Sequence, residues 1–203
     1  ATPPFVFDGR ARVLLASGET LLGDADELTL ELWLQADDDA QSAPRIIFET
    51  GGVFHGVVIY LYQGELYAGI VENESIYYVQ RPITTGEPHH VAFASHNEGN
   101  SRRAFLYIDG ELVVEDTFAV AADANWGTDV GAIGGHQGTR THVGTSGLQH
   151  FIGRIQDVAI YDRVLPTSRI REHYDAALGR LPHSYYRVYR ATTPDFAQAI
   201  LLK

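Results

Sequence analysis

Hydrophobic and polar residues alternate with a period of two along most of this 203-residue chain, the spacing of strands with one face turned inward. Leu28-Thr-Leu-Glu-Leu-Trp-Leu34 is the clearest case: four leucines share one face, and Thr29, Glu31 and Trp33 share the other. Val57-Val-Ile-Tyr-Leu-Tyr62 and Leu66-Tyr-Ala-Gly-Ile-Val71 flank Gln63-Gly64-Glu65, where Gly64 supplies the positive φ of a tight hairpin. Ile76 to Gln80 predicts the next strand, followed by core strands at His90-Val-Ala-Phe-Ala94 and Phe105-Leu-Tyr-Ile108. Asp109-Gly110 is a two-residue hairpin signal leading into Glu111-Leu-Val-Val114. The period turns helical after Leu165-Pro166, where Ile170, Tyr174 and Leu178 recur on one face. Thr167 or Ser168 suits the N-cap of that helix, and Gly179 its stop. Trp126 to Gly153, rich in Gly, Thr and His, predicts a long surface loop between two strands.

Short strands with regular turns predict an all-β fold, a two-sheet antiparallel jelly-roll sandwich with one short C-terminal helix. Its length suits a single domain, which we place at residues 1–178. Beyond Gly179, Tyr185-Tyr-Arg-Val-Tyr-Arg190 has strand-like composition, and Phe196-Ala-Gln-Ala-Ile-Leu-Leu202 is apolar with helix-compatible spacing. Solvated linkers are not built this way. Residues 179–203 are therefore expected to be an ordered extension, packed on an edge of their own domain or docked on a neighbouring module or a second copy.

The net charge of -11 speaks against nucleic acid, because phosphate binding needs clustered cations. It suits metal cations or a neutral ligand such as sugar. No apolar run approaches the roughly 18 residues of a membrane span. Cysteine is absent, which removes disulfides and Cys-based metal sites or nucleophiles. Ala1-Thr-Pro-Pro4 reads as the trimmed edge of a mature protein.

No strand carries the Glu-x-Asp-x-x-Glu spacing that lets two carboxylates divide nucleophile and acid roles. Glu111 and Glu115 are four apart but lack an Asp partner, and they are expected to be solvent-exposed. No metalloprotease, nucleophile-elbow or phosphate-loop motif occurs either. His89 and His90 are adjacent on a strand and point to opposite faces, so they cannot share one ion. His136, His142 and His150 sit in the Gly-rich loop, where they either converge on a ligand or metal or remain solvated. Tyr60 and Tyr62 share a strand face, Tyr67 lies across the turn, and Tyr77 is placed to continue the row. Such rings make an amphipathic platform suited to a sugar; the other reading is that they pair across strands within a core. Trp33 is expected to be packing. Trp126, in a loop, is the tryptophan expected to touch ligand. The candidate binding set is Tyr60, Tyr62, Tyr67, Tyr77, Trp126 and His136.

Six segments in order resemble the laminin-G-like domains, the concanavalin-A-like jelly rolls related to pentraxins. They are Phe7-Asp8-Gly9, Leu28 to Leu34, His89-His90-Val91-Ala92, Leu106-Tyr-Ile-Asp-Gly-Glu-Leu112, Gly131-Ala-Ile-Gly134, and the closing Phe151 to Tyr174. Pro88 stands where that family usually has tryptophan. The resemblance implies a non-catalytic, extracellular or cell-surface binding module of a larger protein, most plausibly recognising carbohydrate. The alternatives are an assembly module that binds protein in a filament, capsid or surface layer and, a distant third, a glycoside-cleaving enzyme. Many relatives bind calcium, but here His136 and Gln137 follow Gly135 where pentraxins place carboxylates. Gln156 stands where jelly-roll glucanases have a calcium aspartate, with Asp157 beside it and Asp8 as N-terminal partner. Asp123 to Asp129 is a third oxygen-rich stretch. No cofactor is required and no metal ligand is assigned; a structural calcium is the one metal the sequence leaves room for.

Overall fold

Alternation within the strands, and reversal at tight turns, builds two stacked sheets. The computed structural model describes residues 4–23, 25–37, 41–120 and 126–179, together with 189–191 and 200–201. The elements are β1 (Phe5–Asp8), β2 (Val13–Ser17), α1 (Gly18–Leu22), β3 (Glu27–Ala36), β4 (Arg45–Glu49), β5 (His55–Tyr62), β6 (Glu65–Glu72), β7 (Ser75–Pro82), β8 (His89–Asn97), β9 (Arg102–Ile108), β10 (Glu111–Phe118), β11 (Val130–Ile133), β12 (Gln149–His150), β13 (Ile152–Tyr161), α2 (Thr167–Ala177), β14 (Tyr189–Ala191) and β15 (Ile200–Leu201). The first sheet runs β10-β9-β8-β3-β13, with β1 and then β14-β15 on β13; the second runs β2-β11-β4-β5-β6-β7, with β12 parallel to β4. The predicted all-β sandwich is the observed one.

Three hairpins turn on two residues of positive φ: Gln63-Gly64, Asn73-Glu74 and Asp109-Gly110. This turn matches the twist of the flanking strands. Gly110 also lets its turn tuck against α2, since a Cβ there would lie 2.9 Å from Arg171 Cδ and 3.1 Å from Tyr174 Cβ.

The leucines of β3 fill the space between the sheets with Phe48, Ile59, Phe93 and Phe151. The opposite face of β3 is also buried, beneath α2. The Thr29 hydroxyl donates to the Arg163 carbonyl at 2.7 Å and accepts the Leu165 N–H at 2.9 Å, which pins the approach to the helix. Trp33 stacks on Tyr174 at 5.8 Å, a packing role. Glu31 meets His90 Nε2 at 3.2 Å and His173 Nδ1 at 2.9 Å. These two imidazoles outweigh burial and hold its carboxyl below the usual range. His89 points the other way, to Asp109 at 2.8 Å, so the two histidines do face apart.

Several details differ from the sequence expectation, among them β11 and β12, which lie within the stretch Trp126 to Gly153 that reads as a loop. The N-cap of α2 is Pro166, not Thr167 or Ser168. The Thr167 hydroxyl lies instead 3.2 Å from that of Tyr107, anchoring the first turn to β9. A second helix, α1, also appears, its N-cap Ser17 accepting the Thr20 N–H at 3.3 Å; five residues are too few to show a period. Of the extension, Tyr189–Ala191 pairs in parallel with Ile160 and Tyr161, and Ile200–Leu201 pairs with it in turn. Ile200–Leu201 is strand where helix-compatible spacing had been read; most of Tyr185–Arg190 and Phe196–Leu202 lies outside the described residues.

Candidate functional site

Strand parity places Val58, Tyr60 and Tyr62 of β5 on the face of the second sheet turned away from the sandwich. The two-residue turn pairs Tyr60 with Tyr67 of β6. Their rings stack at 4.8 Å with planes 3° apart. The next turn pairs Gly69 with Tyr78 of β7. A Cβ on Gly69 would lie 2.5 Å from the Tyr77 carbonyl oxygen and 2.8 Å from Tyr78 Cβ, so glycine is what lets β7 approach. Tyr78 consequently reaches Tyr67 at 5.4 Å. Ile46, Val71 and Leu148 complete this outer apolar layer.

The connection between β11 and β12 folds across these rings. His142 stacks over Tyr67 at 4.4 Å and lies 5.5 Å from both Tyr62 and Tyr78. Its backbone N–H donates to the Tyr60 hydroxyl at 3.2 Å, and that hydroxyl lies 2.6 Å from Nδ1. A phenolic oxygen has two lone pairs and one proton, so it accepts the backbone N–H and pairs with Nδ1 in either tautomer of the neutral ring. Burial lowers the His142 pKa and raises those of Tyr60 and Tyr67, so imidazole and phenols remain neutral here. Tyr60 is 0% and Tyr67 7% exposed; Tyr62 and Tyr78 keep partly open edges.

At the root of the same connection, Glu49 is fully buried, with Oε1 accepting the Gln137 N–H. Burial pushes its carboxyl up to about 7, against the pull of backbone N–H groups and of Arg12. Its Oε2 makes no hydrogen bond. His136 meets His150 edge-on at 5.4 Å, and Arg12 Nη1 donates to His150 Nε2 at 3.3 Å. Burial, His150 and Arg12 together lower the His136 pKa. Beside this lies a shallow groove of about 420 Å³ between Asp8, Arg10, Arg45 and His150. Leu148 belongs both to the groove wall and to the tyrosine layer, so the two features adjoin.

The structure therefore brings Tyr60, Tyr62 and Tyr67 together outside the intersheet core, and two other expected contacts need correction. Tyr77 faces the opposite side of β7, 5.8 Å from Phe118, because Tyr78 takes the position beside Gly69. Trp126 is 1% exposed and plugs one end of the core. Its Nε1 donates to the Ala25 carbonyl at 2.8 Å, and the Arg102 guanidinium lies 4.9 Å from its ring centre. It cannot reach a ligand. His142, a contact that the sequence reading left in the loop, is the central one. His136 sits at the root of the connection, away from the rings that His142 joins.

Glu111 and Glu115 are exposed, and they pair with Arg171 and Arg103. Among the described residues, no group of three His, Asp or Glu side chains is set to hold a metal ion. Asp8 pairs with Ile152, at the far end of β13 from Asp157, so they do not converge. Gln156 donates instead to Asp157 at 2.9 Å, within a bulge where Asp157 has φ 52°. Asp123 lies outside the described residues. None of the helices is long and apolar enough to cross a membrane, among the described residues.

The family model described as the concanavalin A-like lectin/glucanases superfamily matches residues 7–171. No curated protein sequence matches the chain. Among solved structures, the fold is similar to a native heptameric SAP-like pentraxin from Limulus polyphemus, with TM-score 0.54 and 17% identity over 84% of this chain and 76% of that one. It is similar also to the binding domain of botulinum neurotoxin DC, solved in complex with rat synaptotagmin II, with TM-score 0.64 and 14% identity over 85% of this chain. A third is a botulinum neurotoxin type C structure described by its interaction with two ganglioside molecules, with TM-score 0.64 and 12% identity, again over 85% of this chain. The chain spans 41% and 42% of those two toxin chains. At such identities the likeness is one of fold.

Proposed function

Since the chain belongs to the concanavalin A-like lectin/glucanase superfamily, we propose that it is a non-catalytic binding module that recognises carbohydrate on the outer face of its second sheet. The observation that carries this reading is the cluster of Tyr60, Tyr62, Tyr67 and Tyr78 outside the sandwich core. Phenol rings there offer apolar faces for sugar C–H groups and hydroxyls for sugar oxygens. The adjoining groove extends the surface for a longer chain. A pentraxin and toxin binding domains are similar in fold, which supports binding over catalysis. The absence of a paired-carboxylate strand supports it too. The family match supports an extracellular or cell-surface location, and in this reading any metal is a weakly held structural calcium.

A glycan array with the wild type, followed by titration of Tyr62→Ala and Tyr78→Ala, tests the reading. Each removed ring should weaken binding about fivefold, on the order of 1 kcal/mol per contact. Unchanged affinity in both variants would place the ligand elsewhere. Turnover of a polysaccharide that is abolished by changing a single Asp or Glu would make it an enzyme.

A further inference from the structure

The strongest rings for stacking, Tyr60 and Tyr67, are covered by the chain itself. Resting on the carbohydrate reading above, we propose that residues 138–147 form a lid over a saccharide subsite, with His142 holding the place that a sugar ring takes when the lid lifts.

Three observations carry this. The first is how the segment is attached. Among the described residues, the backbone–backbone hydrogen bonds within 138–147 are those between Thr141 and Gly144, at 2.9 and 3.0 Å. They close a small turn that presents His142 and Val143, and they tie nothing to a strand. The segment meets the sheet through the backbone N–H and Nδ1 of His142 at the Tyr60 hydroxyl, the stack on Tyr67, the Gly138 N–H at the Glu49 carboxyl, and a pair at 3.7 Å between half-buried Arg140 and exposed Glu74. An ion pair at that distance with its carboxylate in solvent holds little. Local opening starts where backbone ties are few.

The second is the glycine content. Gly138, Gly144 and Gly147 all have positive φ, and nothing lies within 4 Å of where a Cβ would sit on any of them. Glycine is thus not required there for close packing. What it supplies is backbone freedom at both ends and at the tip. Val143 at the tip is 46% exposed, so the lid does not bury its own apolar residue.

The third is what the occupant reveals about the subsite. The imidazole lies nearly parallel to Tyr67, 17° apart, and sets a ring nitrogen 2.6 Å from the Tyr60 hydroxyl. Tyr62 and Tyr78 close the sides. A pyranose stacks on the same phenol through its C–H face and presents a hydroxyl oxygen where Nδ1 now stands. The subsite therefore selects a flat, uncharged ring with a polar edge. Exchange of His142 for sugar keeps the Tyr60 hydroxyl satisfied, which makes lifting cheaper than leaving a buried polar group bare.

The experiment reads the lid with and without sugar. Wild type, His142→Ala and Tyr60→Phe are treated with tetranitromethane, and nitration is mapped by mass spectrometry with half-open Tyr62 and Tyr78 as internal references. Hydrogen exchange of residues 138–147 is followed in parallel, and affinity is measured for a panel of neutral and sialylated oligosaccharides. In His142→Ala, Tyr67 nitration should rise about tenfold and lid amides should exchange faster. Affinity should improve several-fold, because the competing closed state is weakened. Tyr60→Phe keeps the ring and loses the hydroxyl, so it should speed lid exchange even if the alanine variant folds poorly. Unchanged nitration, exchange and affinity would overturn the lid while leaving carbohydrate binding intact. Faster exchange with no oligosaccharide bound by any variant would overturn the sugar assignment and leave the mobile cover standing.

Discussion

Each sheet carries a second buried layer on its outward face, and the two layers are closed in opposite ways. Over the first sheet lies α2, which satisfies its own backbone and can therefore cover a charged network. There Glu31 is answered by His90 and His173, and its pKa is held down. Over the second sheet lies a glycine-rich connection that satisfies little of its own backbone. There Glu49 keeps an oxygen without a hydrogen bond, and its pKa is pushed up to about 7. Each network leaves one buried polar atom without a hydrogen bond, His90 Nδ1 beneath the helix and Glu49 Oε2 beneath the connection. The two faces thus differ in what answers the carboxyl: two imidazoles under the helix, backbone N–H groups under the connection. The helix-covered face therefore reads as architecture and the loop-covered face as a site.

The comparison breaks most directly at Glu31. Glu31→Ala leaves two buried imidazoles facing a void and should cost about 3–5 kcal/mol, the range for breaking a buried pair. His142→Ala should cost about 1 kcal/mol or less, the worth of one net hydrogen bond and a half-exposed stack. Urea denaturation of both variants at neutral pH measures the difference. Equal losses would mean that the two covers are equally structural. The pH sign is fixed by direction: because the folded pKa of Glu31 is lowered, its contribution is present above the ordinary carboxylate value of 4.5 and is lost as pH falls through the folded value.

Glu49 carries the opposite sign. A carboxyl at about 7 when folded, against 4.5 when free, favours folding below 4.5, and that contribution is lost as pH rises through 7. The difference amounts to about 3 kcal/mol at roughly 1.4 kcal/mol per pH unit. Glu49→Gln keeps an oxygen for the Gln137 N–H without the charge. It should stabilise the protein by about 1–3 kcal/mol at pH 8 and by almost nothing at pH 4. A gain of the same size at both values would show that charge is not what Glu49 contributes.

The sheets were legible because their signals are local: the leucine alternation of β3, the Gln63-Gly64 and Asp109-Gly110 turns, and the helical spacing after Pro166 each need only a few neighbours. The site was half legible for the same reason. Tyr60, Tyr62 and Tyr67 follow from parity on either side of one turn. Tyr77 failed because parity on β7 depends on the next turn, Asn73-Glu74, whose two positive φ angles were not read from residues other than glycine. A two-residue turn there would have selected Tyr78. Trp126 was misjudged because its polar neighbours suggested a loop, while its volume suited the open end of the sandwich. His142 had no local signal, since its role depends on a connection folding back onto strands some 80 residues earlier.

The smallest expected effect concerns the sheet edges, where the two halves of the molecule also differ. The second sheet ends at β2, with Leu14 exposed. On the first, Tyr189–Ala191 extends β13 beyond the part that β1 covers. We propose that the extension after Gly179 acts as an edge cover, which matters because an open strand edge is a template for association. Its described pairing with β13 spans two residue pairs, Ile160 with Arg190 and Tyr161 with Ala191. At about 0.5–1.5 kcal/mol net per hydrogen bond, the whole contribution should be on the order of 1 kcal/mol. A protein ending at Gly179 should melt a few degrees lower and show more self-association in a concentration series by light scattering. The bare edge at β2 is common to both forms, so the difference reports on what the extension covers, of which the described part lies on β13. Identical melting and identical scattering would show that the extension does not cover this edge.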